Sequence, residues 1–272
     1  MQKIDDKPLE YLTILVVDDQ KFIRGVIAQG LKGFGARVIE ASDGFEALTI
    51  LGLGDGMSTS TFEQLKRQRP DLFESIRPPE QKIDCVVSDI RMVPMNGLEM
   101  LKAIRAGMSK AHRDIPVVIM SAHTDEALIG AAVALDAQGF VAKPLSRKTV
   151  SDCIVRACQL PLSLKPADVY KMLLIPELDA STIETDVGKM AESVVATIRA
   201  GDVAAATGQA SIEVLLQDLK VGDVLNENLS TKSGRLVAPS GTRVTDVLMG
   251  ALRDLANITA LMEKVSIRRK AV

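Results

Sequence analysis

The sequence predicts an α/β protein: a doubly wound five-stranded parallel sheet, then a helical linker and a small α+β module. Three observations predict it. Short, β-branched apolar runs alternate with segments of one-sided helical periodicity from about residue 12 to 158. Four of those runs end in a distinctive polar residue. After Pro161 and Pro166 the alternation stops and a different pattern takes over. The expected divisions are residues 1–160, interrupted by an insertion at about 52–82, then 161–210 and 211–272.

The elements follow in order. Leu12-Thr13-Ile14-Leu15-Val16-Val17 reads as a buried strand ending in Asp18-Asp19. A helix starts near Lys21, with Phe22, Ile23, Val26, Ile27 and Leu31 as its apolar stripe and Gly33 and Gly35 at its end. Arg37–Ala41 is a weaker strand, and Ser42-Asp43-Gly44 turns it into a helix carrying Phe45, Ala47, Leu48 and Leu51. Residues 52–82 are scattered Gly, Ser, Pro and mixed charge with a helical patch around 62–72, long for a connection inside a compact domain. The run Ile83–Asp89 is a central buried strand closed by a carboxylate. Pro94 and Asn96-Gly97 then turn the chain into a helix from Leu98. Ile115–Ala122 is a strand ending in Ser121, a helix spans about 125–136, and Gly139–Pro144 is a short strand ending in Lys143-Pro144. A last helix covers about Arg147 to Cys158.

Alternation of this kind gives a parallel sheet with helices on both faces. The strand ends Asp18/Asp19, Asp89, Ser121 and Lys143 then share its carboxyl edge, where ligands bind in open α/β sheets. Two adjacent acids beside a third repel one another, and a divalent cation relieves that. Mg²⁺ takes one or two protein carboxylates and keeps several waters. Taken singly, each aspartate is equally readable as a turn or helix-capping residue.

Composition narrows the class. The 272 residues fit about two domains. The net charge of −2 carries no bias toward nucleic acid or anionic membrane. Trp is absent and aromatics are 3%, which argues against a base-stacking single-strand binder. Cys85, Cys153 and Cys158 show no metal-type spacing and read as reduced thiols. No apolar run approaches the ~18 residues of a spanning helix, and the N-terminus has no apolar signal core, so a cytoplasmic protein is expected.

Val-Val-Asp18-Asp19, Ser88-Asp89-Ile-Arg-Met-x-Pro-Met-Asn-Gly, Met120-Ser121-Ala122 and Phe140-Val-Ala-Lys143-Pro144 together resemble the receiver domain of two-component response regulators, a flavodoxin-like fold, across residues 10–160. The resemblance implies that Asp89 accepts a phosphoryl group from a histidine kinase or phosphotransfer protein. It implies Mg²⁺ on Asp18, Asp19, Asp89 and the carbonyl of Arg91. Lys143 would pair with the phosphoryl oxygens, Ser121 would donate to them, and Phe140 would be the switch aromatic. Lys143-Pro144 resembles the family's cis peptide. Arg91 and His123, two residues beyond Asp89 and Ser121, would flank the path of attacking water. The insertion is the departure from the pattern.

The tail is less distinctive. Ile183, Val187, Met190, Val194 and Ile198 recur at steps of four and three in a helix over about 182–200, readable as a dimerising seam or as an ordinary packed helix. Val224-Leu225 and Leu236-Val237 flank a turn at Lys232-Ser233-Gly234, which predicts a hairpin, and Thr245 caps a following helix. Leu219 to Val244 resembles a small module found beside HD-type cyclic-di-GMP phosphodiesterase domains. The His-Asp ligands of such a domain are missing, since the only histidines are His112 and His123. No Gly-Gly pair and no Gly-Lys-Ser/Thr phosphate loop occur either. The expected output is therefore a non-catalytic interaction module, with a homodimer as one arrangement. The rival reading is a DNA-binding tail, because residues 231–272 carry eight basic residues against three acidic ones.

Overall fold

The computed structural model describes residues 7–54, 82–121, 126–176 and 211–269. Strands β1 (Thr13–Val17), β2 (Arg37–Ala41), β3 (Cys85–Asp89), β4 (Val117–Ser121) and β5 (Gly139–Ala142) form one sheet in the order β2-β1-β3-β4-β5. Every pairing in it is parallel. The connecting helices are α1 (Lys21–Gly33), α2 (Gly44–Gly54), α3 (Gly97–Arg105), α4 (Glu126–Ala134) and α5 (Arg147–Gln159). This is the predicted doubly wound sheet. The predicted helices at 62–72 and 182–200 lie outside the described residues.

Each position of β1, β3 and β4 is buried, which is why these strands read as unbroken apolar runs. Alternate residues feed two cores. Leu15, Val17, Val86, Ile119 and Phe140 face the side of α2, α3 and α4. Ile14, Val16, Val87, Met120 and Val141 face the side of α1 and α5. The chain leaves β1 for β2 on one side and returns to β3 on the other. That reversal opens a crevice at the carboxyl ends of β1 and β3.

A short helix, α6 (Ala167–Met172), follows the receiver-like unit, and sequence periodicity missed it. The fully buried Tyr170 pins it: its hydroxyl donates to Asp136 Oδ2 at 2.6 Å and accepts from the Lys165 N–H at 3.0 Å. Lys165 and Arg113 stack over the Tyr170 ring at 5.3 and 5.7 Å. Lys102 Nζ also donates to the Leu173 carbonyl at 2.8 Å.

The C-terminal unit contains β6 (Ser211–Leu215), β7 (Val224–Leu225), β8 (Leu229–Ser230), β9 (Leu236–Ala238), α7 (Asp246–Leu255) and β10 (Lys264–Arg268). They form antiparallel sheets β6-β10-β7 and β8-β9. The predicted turn at Lys232-Ser233-Gly234 and its second strand are present, but the first strand of the hairpin is corrected here. Leu236 pairs with Ser230, while Val224-Leu225 pairs with Arg268 and Ile267 of β10. Two-residue strands carry too little alternation to show their partner. The Thr245 cap is present, its Oγ1 accepting from the Leu248 N–H at 3.1 Å.

Candidate functional site

The loop after β3 explains the Asn-Gly pair. Asn96 Oδ1 accepts from the N–H groups of Leu98 and Glu99 at 2.9 Å, and Glu99 Oε2 accepts from the Asn96 N–H, also at 2.9 Å. This capping box starts α3 against the end of β3. Gly97 is required there, because a Cβ would stand 2.1 Å from the Asp89 carbonyl oxygen. The Gly97 N–H meanwhile donates to the Ile90 carbonyl at 2.9 Å. Sequence reading took Asn96-Gly97 only as a turn. The pair also fixes the backbone that carries Asp89.

Three carboxylates meet at this edge. One oxygen from each of Asp18, Asp19 and Asp89 lies within 4.8 Å of the others; Asp18 and Asp89 are buried and Asp19 is exposed. Asp89 Oδ1 accepts from the Ile90 N–H at 2.8 Å, and Oδ2 pairs with Lys143 Nζ at 2.8 Å. Lys143 also reaches Asp18 Oδ2 at 3.5 Å. Asp18 Oδ1 accepts from the Gln20 N–H at 2.9 Å rather than from a helical N–H of α1, whose start carries no side-chain cap. The capping alternative for Asp18 is thereby removed. Arg24, which sequence reading did not single out, donates to the Asp18 carbonyl at 2.6 Å and pairs with Glu40 at 3.4 Å. A basic residue on the first turn after an acid pair is the signal that was there to find.

The electrostatics follow from crowding. Burial pushes the Asp89 carboxyl above its ordinary value; the hydrogen bond and charge of Lys143 oppose that, and Asp18 adds to it. Burial alone would lower the Lys143 ammonium, but Asp89 and Asp18 outweigh it and raise it. One ammonium faces three carboxylates, so the cluster has room for a cation's charge. One oxygen from each carboxylate could reach a single cation, and Mg²⁺ is a hard ion that takes such oxygen donors.

The remaining expected residues are placed as follows. Ser121 is fully buried at the end of β4, and its carbonyl accepts from the Lys143 N–H at 2.8 Å. Phe140 is also buried, on the α4 side of β5. Arg91 lies in the loop between β3 and α3. The Lys143-Pro144 and Val93-Pro94 peptides are both cis. His123 lies outside the described residues.

A family model for the response regulator receiver domain matches residues 56–154, a stretch holding Asp89, Ser121, Phe140 and Lys143 but not the acid pair of β1. A two-component response regulator of Arabidopsis thaliana is 30% identical over 141 residues, covering 52% of this chain and 81% of that one. The chain belongs to the two-component response regulator family. Its function is phosphorelay signalling. A second Arabidopsis thaliana regulator is 32% identical over 50% of this chain and 74% of its own. One from Oryza sativa subsp. indica is 32% identical, with 57% and 65% covered. Among solved structures, a chemotaxis response regulator of Vibrio cholerae is 25% identical, covering 54% of this chain and 98% of its own, with TM-score 0.38. Among the described residues no helix is long and apolar enough to cross a membrane.

Proposed function

We propose that Asp89 is the phosphoacceptor of this response regulator, with Lys143 and Ser121 as the groups that receive the phosphoryl oxygens. The reading is carried by one observation: a buried carboxylate at a strand end stands 2.8 Å from an ammonium and within ligand distance of two more carboxylates. A carboxylate oxygen of Asp89 attacks phosphorus, an acyl phosphate forms, and the P–N bond of the donor phosphohistidine breaks, its electron pair staying on the imidazole. Lys143 holds the incoming charge as a point cation, and the Ile90 N–H orients the carboxylate. Asp18, Asp19, Asp89 and the Arg91 carbonyl would hold Mg²⁺, which supplies charge neutralisation when bound. Arg91 and His123 are further proposed to flank the path of attacking water.

The donor is a histidine kinase or a phosphotransfer protein. The output is a non-catalytic interaction module at residues 211–272, of the kind seen beside HD-type phosphodiesterase domains. Residues 211–269 contain no His or Cys, and Asp223 and Asp254 are both paired with arginines, which supports a non-catalytic role. Lys232, Lys264 and Arg269 are tied to Glu263, Glu213 and Asp223, so less of the basic tail is free for phosphates than its composition suggests. This favours a protein-binding module over DNA binding.

Asp89→Asn keeps the side-chain shape and loses the nucleophile, so labelling by acetyl phosphate should vanish while the circular dichroism spectrum is unchanged. Asp19→Ala should weaken Mg²⁺ binding and slow labelling. Stoichiometric labelling of the first variant, or wild-type Mg²⁺ affinity in the second, would overturn the assignments.

A further inference from the structure

The amino edge of the parallel sheet, opposite Asp89, holds two cysteines that the signalling site does not use. A cavity of about 270 Å³ opens there. Leu12, Asp84 and Pro116, which immediately precede β1, β3 and β4, line it together with Cys158 near the end of α5. Such a volume far exceeds the ~10–15 Å³ that admits one water. Cys158 is half-buried on the cavity wall, whereas Cys85, the first residue of β3, is fully buried and does not line it. The Cys158 sulfur lies 3.9 Å from the carbonyl oxygen of Asp84, the residue joined to Cys85. The Cys85 thiol donates a hydrogen bond to the Cys158 sulfur.

The two thiols are unequal. The hydrogen bond from Cys85 holds the Cys158 thiol below its ordinary value, against burial and the charge of Asp84. The same bond, and then burial, push the Cys85 thiol well up. The thiolate is the nucleophile, so Cys158 is the sulfur that reacts first, and it is the one that meets the cavity. An accessible thiol of lowered value beside a second cysteine is the arrangement of reversible oxidation. Cys153, also on α5, is the contrast. Its sulfur faces the Phe140 carbonyl at 3.9 Å and Asp254 Oδ2 at 3.6 Å, and it does not line the cavity. Burial pushes its thiol well up, so it stays inert.

We propose that Cys158 and Cys85 form a reversible thiol–disulfide site, in which Cys158 reacts with hydrogen peroxide from the cavity and Cys85 resolves the product. The Cys158 sulfur attacks one peroxide oxygen, the O–O bond breaks, and the departing oxygen leaves as water with the thiol proton. The product is a sulfenic acid on Cys158. The Cys85 sulfur then attacks that sulfur, the S–O bond breaks, a second water leaves with the Cys85 proton, and the S–S bond forms. The two thiols lose two protons and two electrons, and the peroxide takes up both pairs as it becomes two waters. A dithiol reverses the step by exchange and is itself oxidised to a disulfide. The bond joins α5 to β3 and closes a long stretch of chain between residues 85 and 158, which constrains the unfolded state. It stands at the end of β3 away from Asp89, so it does not rest on the phosphoacceptor reading.

The test treats the folded full chain with hydrogen peroxide, then blocks the remaining thiols with N-ethylmaleimide in denaturant and reads the intact mass and the tryptic peptides. The chain has three cysteines. Oxidised protein should carry a single maleimide, on Cys153, together with a Cys85–Cys158 linked peptide that disappears on reduction with dithiothreitol. Cys85→Ala removes the resolving sulfur, so dimedone should trap the sulfenic acid on Cys158. Cys158→Ala should leave Cys85 and Cys153 as thiols at the same peroxide dose. The wild-type mapping decides the pairing even where Cys85→Ala does not fold. Three maleimides on wild type, at a dose that fully oxidises free cysteine, overturn the site. A linked peptide containing Cys153, or a dimer joined through Cys158, overturns the pairing. Cys158 carried on to the sulfinic acid in wild type overturns the resolving role of Cys85.

Discussion

Replacing Gly97 with alanine should damage phosphorylation without touching a charged group. The added Cβ would stand 2.1 Å from the Asp89 carbonyl oxygen and 3.1 Å from the Asp89 carbonyl carbon. Ordinary contact begins at 3.4 Å, so roughly 1.3 Å must be found by moving backbone. Both obstacles are backbone, and the Ser88 hydroxyl, 2.8 Å from the same oxygen, closes the other side. Either α3 backs away and loses the Gly97 to Ile90 hydrogen bond, or β3 shifts and takes Asp89 with it. The first route costs about 1–3 kcal/mol of stability. The second misplaces the nucleophile by about 1 Å, a displacement that lowers rates by about 100-fold. Gly25→Ala is the control: nothing lies within 4 Å of its Cβ, and it sits inside α1. It should gain about 0.5–1 kcal/mol. Thermal unfolding and acetyl phosphate labelling are measured on both. A Gly97→Ala protein with wild-type stability and labelling rate would refute the argument that α3 is pressed against the Asp89 backbone.

Two further outcomes follow from the same structure. Tyr170→Phe removes the donor to Asp136 and the acceptor of the Lys165 N–H, so it should cost about 1–3 kcal/mol and speed hydrogen exchange across the strap formed by residues 165–173; unchanged exchange would show that the hydroxyl does not hold the strap. Asp223 is held below its ordinary carboxyl value, first by its hydrogen bond to Arg269, despite the opposing effect of burial. A carboxyl depressed by folding stabilises the folded state above its unfolded value of about 3.9 and loses that contribution as pH falls through the folded value. Asp223→Asn should therefore lower the melting temperature at pH 6, with the gap to wild type closing below about pH 4. A gap that stays constant down to pH 2.5 would refute the linkage.

The sheet and its site were legible because burial on both faces writes each strand as an unbroken apolar run. A charged or hydroxyl residue then marks where each run ends. Asp18, Asp89, Ser121 and Lys143 all stand at such breaks. The C-terminal unit was harder to read. β7 and β8 have two residues each, and β6 is exposed at four of its five positions, so neither length nor alternation identifies a partner. Arg105 was missed for a different reason. It is fully buried and bonded to the carbonyls of Arg113, Ile115 and Asp136 and to Gln138 Oε1, partners far apart in sequence. Burial among dipoles rather than acids lowers its guanidinium to about 10. The docking of the two halves did leave a trace: the run Leu128-Ile129-Gly130-Ala131-Ala132-Val133-Ala134 has no polar face, which a helix with one side in water would need.

The two attachments between the halves differ in what they can transmit. The last receiver helix, α5, runs straight into the linker, which makes the linker one route for a signal. Yet Tyr170, Lys165 and Leu173 tie the strap to Asp136, Arg113 and Lys102, at the end of the sheet away from Asp89. A segment anchored there has no contact among the described residues with the groups that a phosphoryl charge would move. Asp254 of α7 does, by accepting from the Phe140 N–H on the one strand that also carries Lys143. A charge at Asp89 biases an element only through differential contacts with its two positions. Of the two attachments, the edge of β5 has such contacts and the strap does not.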